Sequence, residues 1–373
     1  MSKAKRKTLK QSPKKRIGLF NSSRIWGGGE KWHFETARKL AERGFDPVVF
    51  SNPNGKLYQK SLEAGIRAVP VSIRNLSFLN PIKLLMLLLL LHREKIDALI
   101  AGLTSDMKAV APAARLAGIK KVIYRRGTAL PLKNTLINRI LYQRLTTAII
   151  VNSLEIKNIL TSQNGSIVDD KKIHLIYNEV DLHRPLAHFD RHKLSLRSNG
   201  AVILGNIGRL VEQKGQKYLI ELAYNLKQHH IPFRILIAGS GKLKETLKHY
   251  ARHLDVEEEV IFMDFIDDIQ AFIHEIDIFV FPSLHEGSSH TLLEVMAARK
   301  PVVAFNISSI PEIIEHNKNG LLVEKGNSRE LFNQVHHLIH RKDLQRMFGV
   351  SGRKKVEEEF NSDQGIDKLM GLL

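Results

Sequence analysis

The fold is constrained most by short apolar runs that alternate with helical patterns, once in each half of the 373-residue chain. The runs are apolar on both faces, which predicts parallel strands whose sheets are covered by helices on both sides. The predicted strands are 16–20, 47–50, 66–71, 98–100, 121–124 and 148–151 in the first half, and 201–207, 233–238, 260–263, 276–281, 301–305 and 321–323 in the second.

The repeated pattern predicts an α/β protein with two Rossmann-like, doubly wound parallel-sheet domains that face a cleft. A charged stretch with few apolar residues, 183–199, predicts the linker between them. We therefore expect a first domain over 16–185 and a second over 195–355. The final segment, 356–373, is predicted to be a helix that packs back on the first domain. Ligands of such sheets bind outside the carboxyl ends of the strands.

The charge of the chain indicates an anionic partner. Lys and Arg number 57 against 38 Asp and Glu, and the first sixteen residues hold eight Lys or Arg and no acid. Residues 1–15 are therefore predicted to form a disordered basic tail. Such a surface suits membrane lipid, nucleic acid or a phosphorylated substrate. The chain has no cysteine, which excludes disulfides, cysteine-ligated zinc and thiol catalysis.

A leucine-rich run at 81–91 is about half as long as a membrane span requires. It contains Lys83 and is followed by charged residues. We expect a helix that packs on the protein, with a helix that dips into a membrane surface as the alternative.

Two glutamates, Glu286 and Glu294, have seven residues between them and flank a helix start predicted near Ser288 or Ser289. A helix start carries unpaired N–H groups and the positive end of the macrodipole, so it suits a phosphate. A carboxylate on each side suits hydroxyls such as those of a ribose and a sugar. The alternative is an ordinary turn residue and an exposed helix glutamate.

Two cations lie in a loop after the first strand of the second domain. Gly208 and Gly215 bound this loop, which contains Arg209 and Lys214. A guanidinium binds phosphate with a forked geometry, and an ammonium acts as a point charge. The loop therefore predicts a phosphate site, with a solvated basic loop as the alternative.

Two strand ends of the first domain carry similar signals. Three glycines, 27–29, precede a predicted helix, as in phosphate-cradling loops but without a Walker lysine. Arg125 and Arg126 follow another strand, where the alternative is a surface arginine pair.

A dinucleotide site is not predicted in the second domain. Residues 238–241, Ala-Gly-Ser-Gly, open a helix, but Lys244 stands at the third glycine position of the fingerprint. Residues 263–267 are expected either along a nucleobase or in ordinary core and turn. The histidines form no recognisable ligand set and no Asp-x-Asp is present, so we expect no metal.

These motifs, in this order, resemble the family 4 glycosyltransferases of the GT-B fold over roughly residues 16–355. The resemblance is most specific at Gly208-Arg-Leu with Gln213-Lys-Gly, and at Glu286-x7-Glu294 followed by Ala297 and by Lys300-Pro-Val-Val303.

The resemblance implies a retaining sugar transfer from a nucleotide-diphosphate sugar, without a metal or other cofactor, between an acceptor-binding first domain and a donor-binding second domain. Arg209 and Lys214 would hold the diphosphate, Glu294 the ribose hydroxyls, and Glu286 hydroxyls of the donor sugar. The remaining substrate-binding residues would be Gly27, Gly28, Gly208, Phe265, Gly287, Ser288, Ser289, His290, Thr291 and Leu292.

One position departs from the family pattern. Many relatives carry a histidine where this chain has Arg126. Arginine cannot act as a base near neutral pH, so we do not expect it to accept a proton there. We predict instead that Arg126 binds the anionic group of an acceptor at the reaction centre.

The expected enzyme is cytoplasmic and docks on the inner, anionic face of the cytoplasmic membrane. Its partners would be the sugar donor and an anionic, lipid-linked glycan acceptor, as in lipopolysaccharide or envelope polysaccharide assembly. The alternatives are a nucleic-acid-binding α/β protein, suggested by charge but not by the 7% aromatic content, and another GT-B enzyme such as a sugar-nucleotide epimerase or a phosphorylase.

Overall fold

The computed structural model describes residues 14–373 with the exception of 75, 163–166, 181, 183–199, 265, 267–268 and 288. The predicted linker and most of the basic tail therefore lie outside the described residues, as do Phe265 and Ser288. The described chain forms two parallel sheets, one in each half, which confirms the predicted fold class.

The first sheet has seven parallel strands in the described part of the chain. Their spatial order is β3-β2-β1-β4-β5-β6-β7. They are β1 Arg16–Asn21, β2 Asp46–Ser51, β3 Arg67–Pro70, β4 Ala98–Ala101, β5 Lys121–Arg126, β6 Ala148–Val151 and β7 Ile173–Leu175.

The second sheet has six parallel strands among the residues described. Their order is β10-β9-β8-β11-β12-β13. They are β8 Val202–Ile207, β9 Phe233–Ala238, β10 Val260–Met263, β11 Ile278–Phe281, β12 Val302–Phe305 and β13 Leu321–Val323. In both sheets the order reverses beside the first strand, between β1 and β4 and between β8 and β11. Ligands of open α/β sheets bind at such points.

Helices connect the strands and cover both faces of each sheet. The helices of the first half are α1 Gly28–Glu42, α2 Lys56–Glu63, α3 Pro81–Arg93, α4 Thr104–Leu116, α5 Leu136–Arg139 and α6 Leu154–Thr161. Those of the second half are α7 Lys217–Gln228, α8 Lys244–His253, α9 Ile269–Glu275, α10 His290–Ala297, α11 Ile310–Ile313, α12 Ser328–His340, α13 Lys342–Glu359 and α14 Ser362–Met370.

The central strands of both sheets bury both of their faces, as the continuous apolar runs predicted, whereas the edge strands β3, β7 and β10 are partly exposed. On one face of the first sheet, β1 and β4 pack against α1 through residues such as Leu19 and Ile100. On the other face, Phe20 and Leu99 join the buried side of α3 and α4. Alternation along a strand therefore decides which helix layer each side chain contacts.

The carboxyl-terminal helices divide between the two domains. Helix α13 packs against α10 of the second domain. Helix α14 instead contacts α1, and Ile366, Leu369 and Leu373 lie in the core cluster of the first domain. The chain thus returns to the first domain after Phe360, and Val180 pairs with Asn361 where the chain crosses.

Helix α3 is only half covered. Leu87 and Leu91 are buried, whereas Ile82 and Met86 are more than 60% exposed. No helix in the described ranges is long and apolar enough to cross a membrane.

Candidate active site

The glycine-bounded loop of the second domain is fixed against the turn that follows β11. Gln213 donates from Nε2 to the His285 carbonyl at 2.7 Å, and the Leu284 N–H donates to the Gln213 carbonyl at 2.8 Å. Gly215 has a φ of +64°, and a Cβ there would collide with the Pro282 carbonyl. Glycine is therefore required for the loop to lie this close to the turn.

This arrangement brings Lys214 and Glu286 together, although 71 residues separate them along the chain. Their side chains form an ion pair and are only 18% and 7% exposed. Gly208 lies beside the pair, since a Cβ on it would be 3.6 Å from Lys214 Cγ. Arg209 is exposed at the start of the loop. The structure thus groups a fixed cation and a carboxylate at the carboxyl ends of β8 and β11.

Helix α10 begins beside this pair. Ser289 caps it, because its Oγ accepts from the Leu292 N–H at 3.2 Å. The Leu292 side chain is fully buried and its N–H is used by the cap, so its predicted substrate contact has no free group to make it. Thr291 is half-buried. The α10 start retains its positive dipole end for an anion.

Glu294 is buried and not exposed, so the ordinary surface-glutamate alternative is excluded. Its Oε1 pairs with Lys31 of α1, across the gap between the domains. Its Oε2 is buried and has no hydrogen-bond partner among the described residues. A buried carboxylate oxygen without a donor is unusual and costs free energy, which a hydroxyl of a bound ligand would offset.

The glycine-rich loop of the first domain faces the start of α10. A Cβ on Gly28 would lie 3.3 Å from His290 Cδ2, and a Cβ on Gly27 would lie 3.3 Å from Glu30 Oε2. A Cβ on Gly287 would collide with the carbonyl of Gly127, which follows β5. Glycines on both sides therefore let the two domains approach closely at this point.

Two histidines, the buried His33 and the half-buried His290, line the same region in neutral form. Burial lowers the pKa of His33 to about 3, and its Nδ1–H donates to the Gly29 carbonyl at 2.8 Å. Burial also lowers the pKa of His290 well below its ordinary value, with Lys31 and Arg125 adding to the effect. His33 therefore holds the glycine-rich loop in place without adding charge.

The two arginines at the end of β5 point to opposite faces of the sheet. Arg126 is buried beside Tyr124, and its guanidinium donates to the Leu130 carbonyl. Arg125 lies on the face of α1, with its guanidinium carbon 5.0 Å from the Trp32 ring. The structure therefore places Arg126 away from the predicted reaction centre and Arg125 near it, because neighbouring strand residues alternate in direction.

Sequence reasoning missed two residues that join the two domains. Lys31 pairs with Glu294. Glu312 of α11 accepts from the Leu154 and Glu155 N–H groups at the start of α6, at 2.7 and 3.1 Å. Each contact links residues far apart along the chain, and no sequence signal specifies it.

Among the described residues, no group of three or more His, Asp or Glu side chains is arranged to hold a metal ion. The site consists instead of ion pairs, glycines and helix starts. Two facing parallel-sheet domains with such a site between them define the GT-B class of glycosyltransferases.

The family models agree with this class. Residues 26–184 match the model of glycosyltransferase family 4, and residues 189–355 match that of the glycosyl transferases group 1. The chain belongs to this family of glycosyltransferases.

Two curated relatives match nearly the whole chain. A lipopolysaccharide core biosynthesis glycosyltransferase of Rhizobium meliloti is 25% identical over 347 residues, which cover 93% of this chain and 96% of the relative. The UDP-Gal:α-D-GlcNAc-diphosphoundecaprenol α-1,3-galactosyltransferase of Escherichia coli is 28% identical over 366 residues, or 93% and 94% of the two chains. The first three curated relatives are matched over only 55%, 40% and 49% of their length.

A solved structure shows the same fold. The Anabaena protein HepE, crystallised with UDP-glucose, superposes with a TM-score of 0.82 at 21% identity, over 96% of this chain and all of that one.

Proposed function

We propose that the protein transfers a sugar from a nucleotide-diphosphate donor to an anionic, lipid-linked glycan acceptor of envelope polysaccharide or lipopolysaccharide assembly. The observation that carries this proposal is the buried Lys214–Glu286 pair beside the α10 start, with Glu294 one and a half turns further along. Relatives that act on lipopolysaccharide core and on a diphosphoundecaprenol-linked sugar support the acceptor class.

The leaving group of such a transfer is a nucleoside diphosphate. Its developing negative charge needs fixed positive groups, which Lys214, Arg209 and the α10 dipole supply. We propose that these groups replace a protein-held metal ion. Glu286 is held by Lys214, so it acts as a hydrogen-bond acceptor for sugar hydroxyls. We propose that the anomeric configuration is retained and that the departing phosphate accepts the acceptor proton.

The donor is identified by incubating the protein with a panel of nucleotide sugars and measuring which nucleoside diphosphate is released. We expect release from one donor class, slow without acceptor and faster with a glycan acceptor. The expected result includes activity in the presence of a metal chelator. Nuclear magnetic resonance of the product would report the configuration at the new linkage.

A matched control is Glu257→Ala, which replaces an exposed glutamate of the second domain that lies outside the cleft. Its nucleotide release should equal that of the unmodified protein. Release of no nucleoside diphosphate from any donor, or interconversion of the donor sugar without transfer, would refute the proposed reaction. The second of these outcomes would identify an epimerase.

We propose that Arg125, and not Arg126, binds the anionic group of the acceptor. Arg125 is 5% exposed, and its guanidinium donates from Nη2 to Asn178 Oδ1 at 2.8 Å. Its Nε has no hydrogen-bond partner among the described residues, which is also true of Arg126, and the nearby Glu30 carboxylate favours its charged form without forming an ion pair with it. Burial lowers its pKa to about 10, so it remains charged at neutral pH. A buried cation without a carboxylate partner is costly and favours binding of an anion.

The position of Arg125 supports the acceptor as the source of that anion. A Cβ on Gly29 would lie 3.7 Å from Arg125 Nη1, and one on Gly127 would lie 2.9 Å from it. The guanidinium therefore borders the glycine-rich loop of the first domain, which is the proposed acceptor domain. A phosphate or a carboxylate on the acceptor would complete its hydrogen bonds.

Exchanging Arg125 for methionine should raise the KM for an anionic acceptor by about tenfold, because one charge-assisted hydrogen bond is lost. The KM for an acceptor analogue without the anionic group should change much less. Steady-state kinetics with the two acceptors measure this difference.

Arg126→Met is the matched control for this prediction. It should lower thermal stability, since Arg126 is buried on the Leu130 carbonyl, but should leave the preference for the anionic acceptor intact. An Arg125→Met protein that still prefers the anionic acceptor would contradict the assignment. A rise in donor KM alone would place the anion on the donor and also contradict it.

A further inference from the structure

Helix α3 carries an apolar stripe that the fold leaves uncovered. Ile82, Leu85, Met86 and Leu89 are between 56% and 69% exposed and follow the i, i+3, i+4, i+7 spacing of one helix face. The opposite face, with Leu87, is buried against the domain. Soluble proteins rarely present a continuous apolar face of this kind without a binding partner.

Neighbouring segments of the same layer also expose apolar side chains. The turn before α3 exposes Leu76 and Leu79, and α5 with the residue after it exposes Leu136, Ile137 and Ile140. The turn, α3 and the segment after α5 all pack against α4. The exposed side chains therefore belong to one helix layer, and we call its α3 stripe the α3 surface.

This layer is strongly basic. Residues 76–145 contain twelve Lys or Arg and three acids, and ten of the cations remain when the buried Arg125 and Arg126 of β5 are left out. Two of the acids, Glu94 and Asp106, are buried, which leaves Asp97 as the exposed one. Exposed cations such as Lys133 and Arg139 lie on the same segments as the apolar side chains.

We propose that the α3 surface docks on an anionic lipid bilayer, with the stripe in the headgroup region and the surrounding cations on the lipid phosphates. A thirteen-residue helix is about 20 Å long, which suits a helix that lies in the plane of the interface. Lys83 near its start and Arg93 at its end have long side chains that reach headgroups.

The charge decides between a bilayer and a second copy of the chain. In a symmetric dimer the same surface meets itself, so the exposed cations of two copies would face each other. Like charges across an interface are unfavourable, whereas an anionic bilayer is complementary to them. Burial of the apolar stripe in the bilayer would add a hydrophobic contribution to binding that charge attraction alone does not provide.

Docking in this way would position the first domain at the membrane. The inference rests on the proposed function only for the role of docking, which would bring a lipid-linked acceptor to the domain proposed to bind it. Binding to lipid itself does not require sugar transfer, so the two proposals fail in separate experiments.

The test is flotation of the full chain with vesicles of phosphatidylglycerol and phosphatidylcholine, compared with vesicles of phosphatidylcholine alone. The test variant is Ile82→Asp with Met86→Asp. The control is Met347→Asp with Val350→Asp, an exposed apolar pair on α13 of the second domain with the same change in charge. We expect the test variant to reduce binding to the anionic vesicles by about tenfold or more and the control to reduce it much less.

Salt and oligomeric state complete the experiment. Moderate salt should weaken the binding of the unmodified chain without abolishing it, because the apolar stripe contributes as well. Equal losses of vesicle binding in the two variants would mean that only the change in charge matters. Unchanged binding of the test variant would exclude the α3 surface as the lipid-binding site. Either result overturns the proposal. A dimer that only the Ile82→Asp/Met86→Asp chain loses would assign the surface to a second copy. Release of nucleoside diphosphate from a soluble donor should be equal in all three proteins.

Discussion

Exchanging Lys214 for methionine should lower the turnover number for sugar transfer by about 100- to 1000-fold and change the donor KM by less than about tenfold. The Lys214 ammonium is mostly buried and fixed by Glu286 at the carboxyl ends of β8 and β11. A charge fixed where the diphosphate gains negative charge stabilises the transition state more than the bound donor. Methionine keeps an unbranched apolar stem, so the loss reports the charge.

Steady-state kinetics with saturating acceptor measure the effect. Lys217→Met is the matched control, because Lys217 is an exposed lysine three residues away at the start of α7. Its turnover should stay within about twofold of the unmodified protein, as is usual for surface charges. If the Lys214→Met enzyme keeps the turnover number of the unmodified protein, Lys214 does not stabilise the leaving group.

Variants of Glu286 test whether Lys214 and Glu286 act as one unit. Glu286→Ala is expected mainly to reduce turnover, because the carboxylate both fixes Lys214 and accepts from sugar hydroxyls. If the pair acts together, the double variant should be little slower than Lys214→Met alone, since residues in contact are not additive. Fully additive losses would indicate two independent contributions and contradict the proposed coupling.

The strands were predictable because parallel strands buried on both faces read as continuous apolar runs. The runs at 233–238 and 260–263 match β9 and β10 residue for residue. Strand β7 was not predicted, because it has three residues and includes His174. A run this short has no pattern of its own, and its place is fixed by pairing with β6.

The site was predictable to the extent that its residues follow strand ends or open helices. The grouping of Lys214 with Glu286 follows from two strands that are neighbours in the sheet. The partner of Glu294 was not predictable, because Lys31 lies 263 residues away in the other domain. Phe265 and Ser288 remain predictions, since the structure does not describe them.

The arginine pair and the leucine-rich helix show a different limit. Alternation along β5 implies that Arg125 and Arg126 point to opposite faces, but the sequence does not say which face borders the cleft. For α3, an apolar pattern all round predicted burial, whereas α4 covers only one side of it. In both cases the missing information is which helix layer covers which face.

Glu294→Ala should raise the dissociation constant of the nucleoside diphosphate by about 10- to 100-fold, because hydrogen bonds to a charged group contribute about 1.5–3 kcal/mol. Under the proposed function its carboxylate accepts from the ribose hydroxyls. The buried Oε2 without a hydrogen-bond donor supports this role, since a ribose hydroxyl would satisfy it. Turnover at saturating donor should fall less than affinity, because the ribose is remote from the reacting bond.

Calorimetry with the released nucleoside diphosphate and with its 2′,3′-dideoxy analogue tests this assignment directly. The unmodified protein should prefer the ribose form by about tenfold or more, and Glu294→Ala should bind both forms about equally. Lys31→Met removes the ion pair but keeps the carboxylate, so it should retain a preference for ribose. That control separates the loss of the hydroxyl contacts from the loss of the contact between the domains. A Glu294→Ala protein that still discriminates the two nucleotides would show that another group reads the ribose.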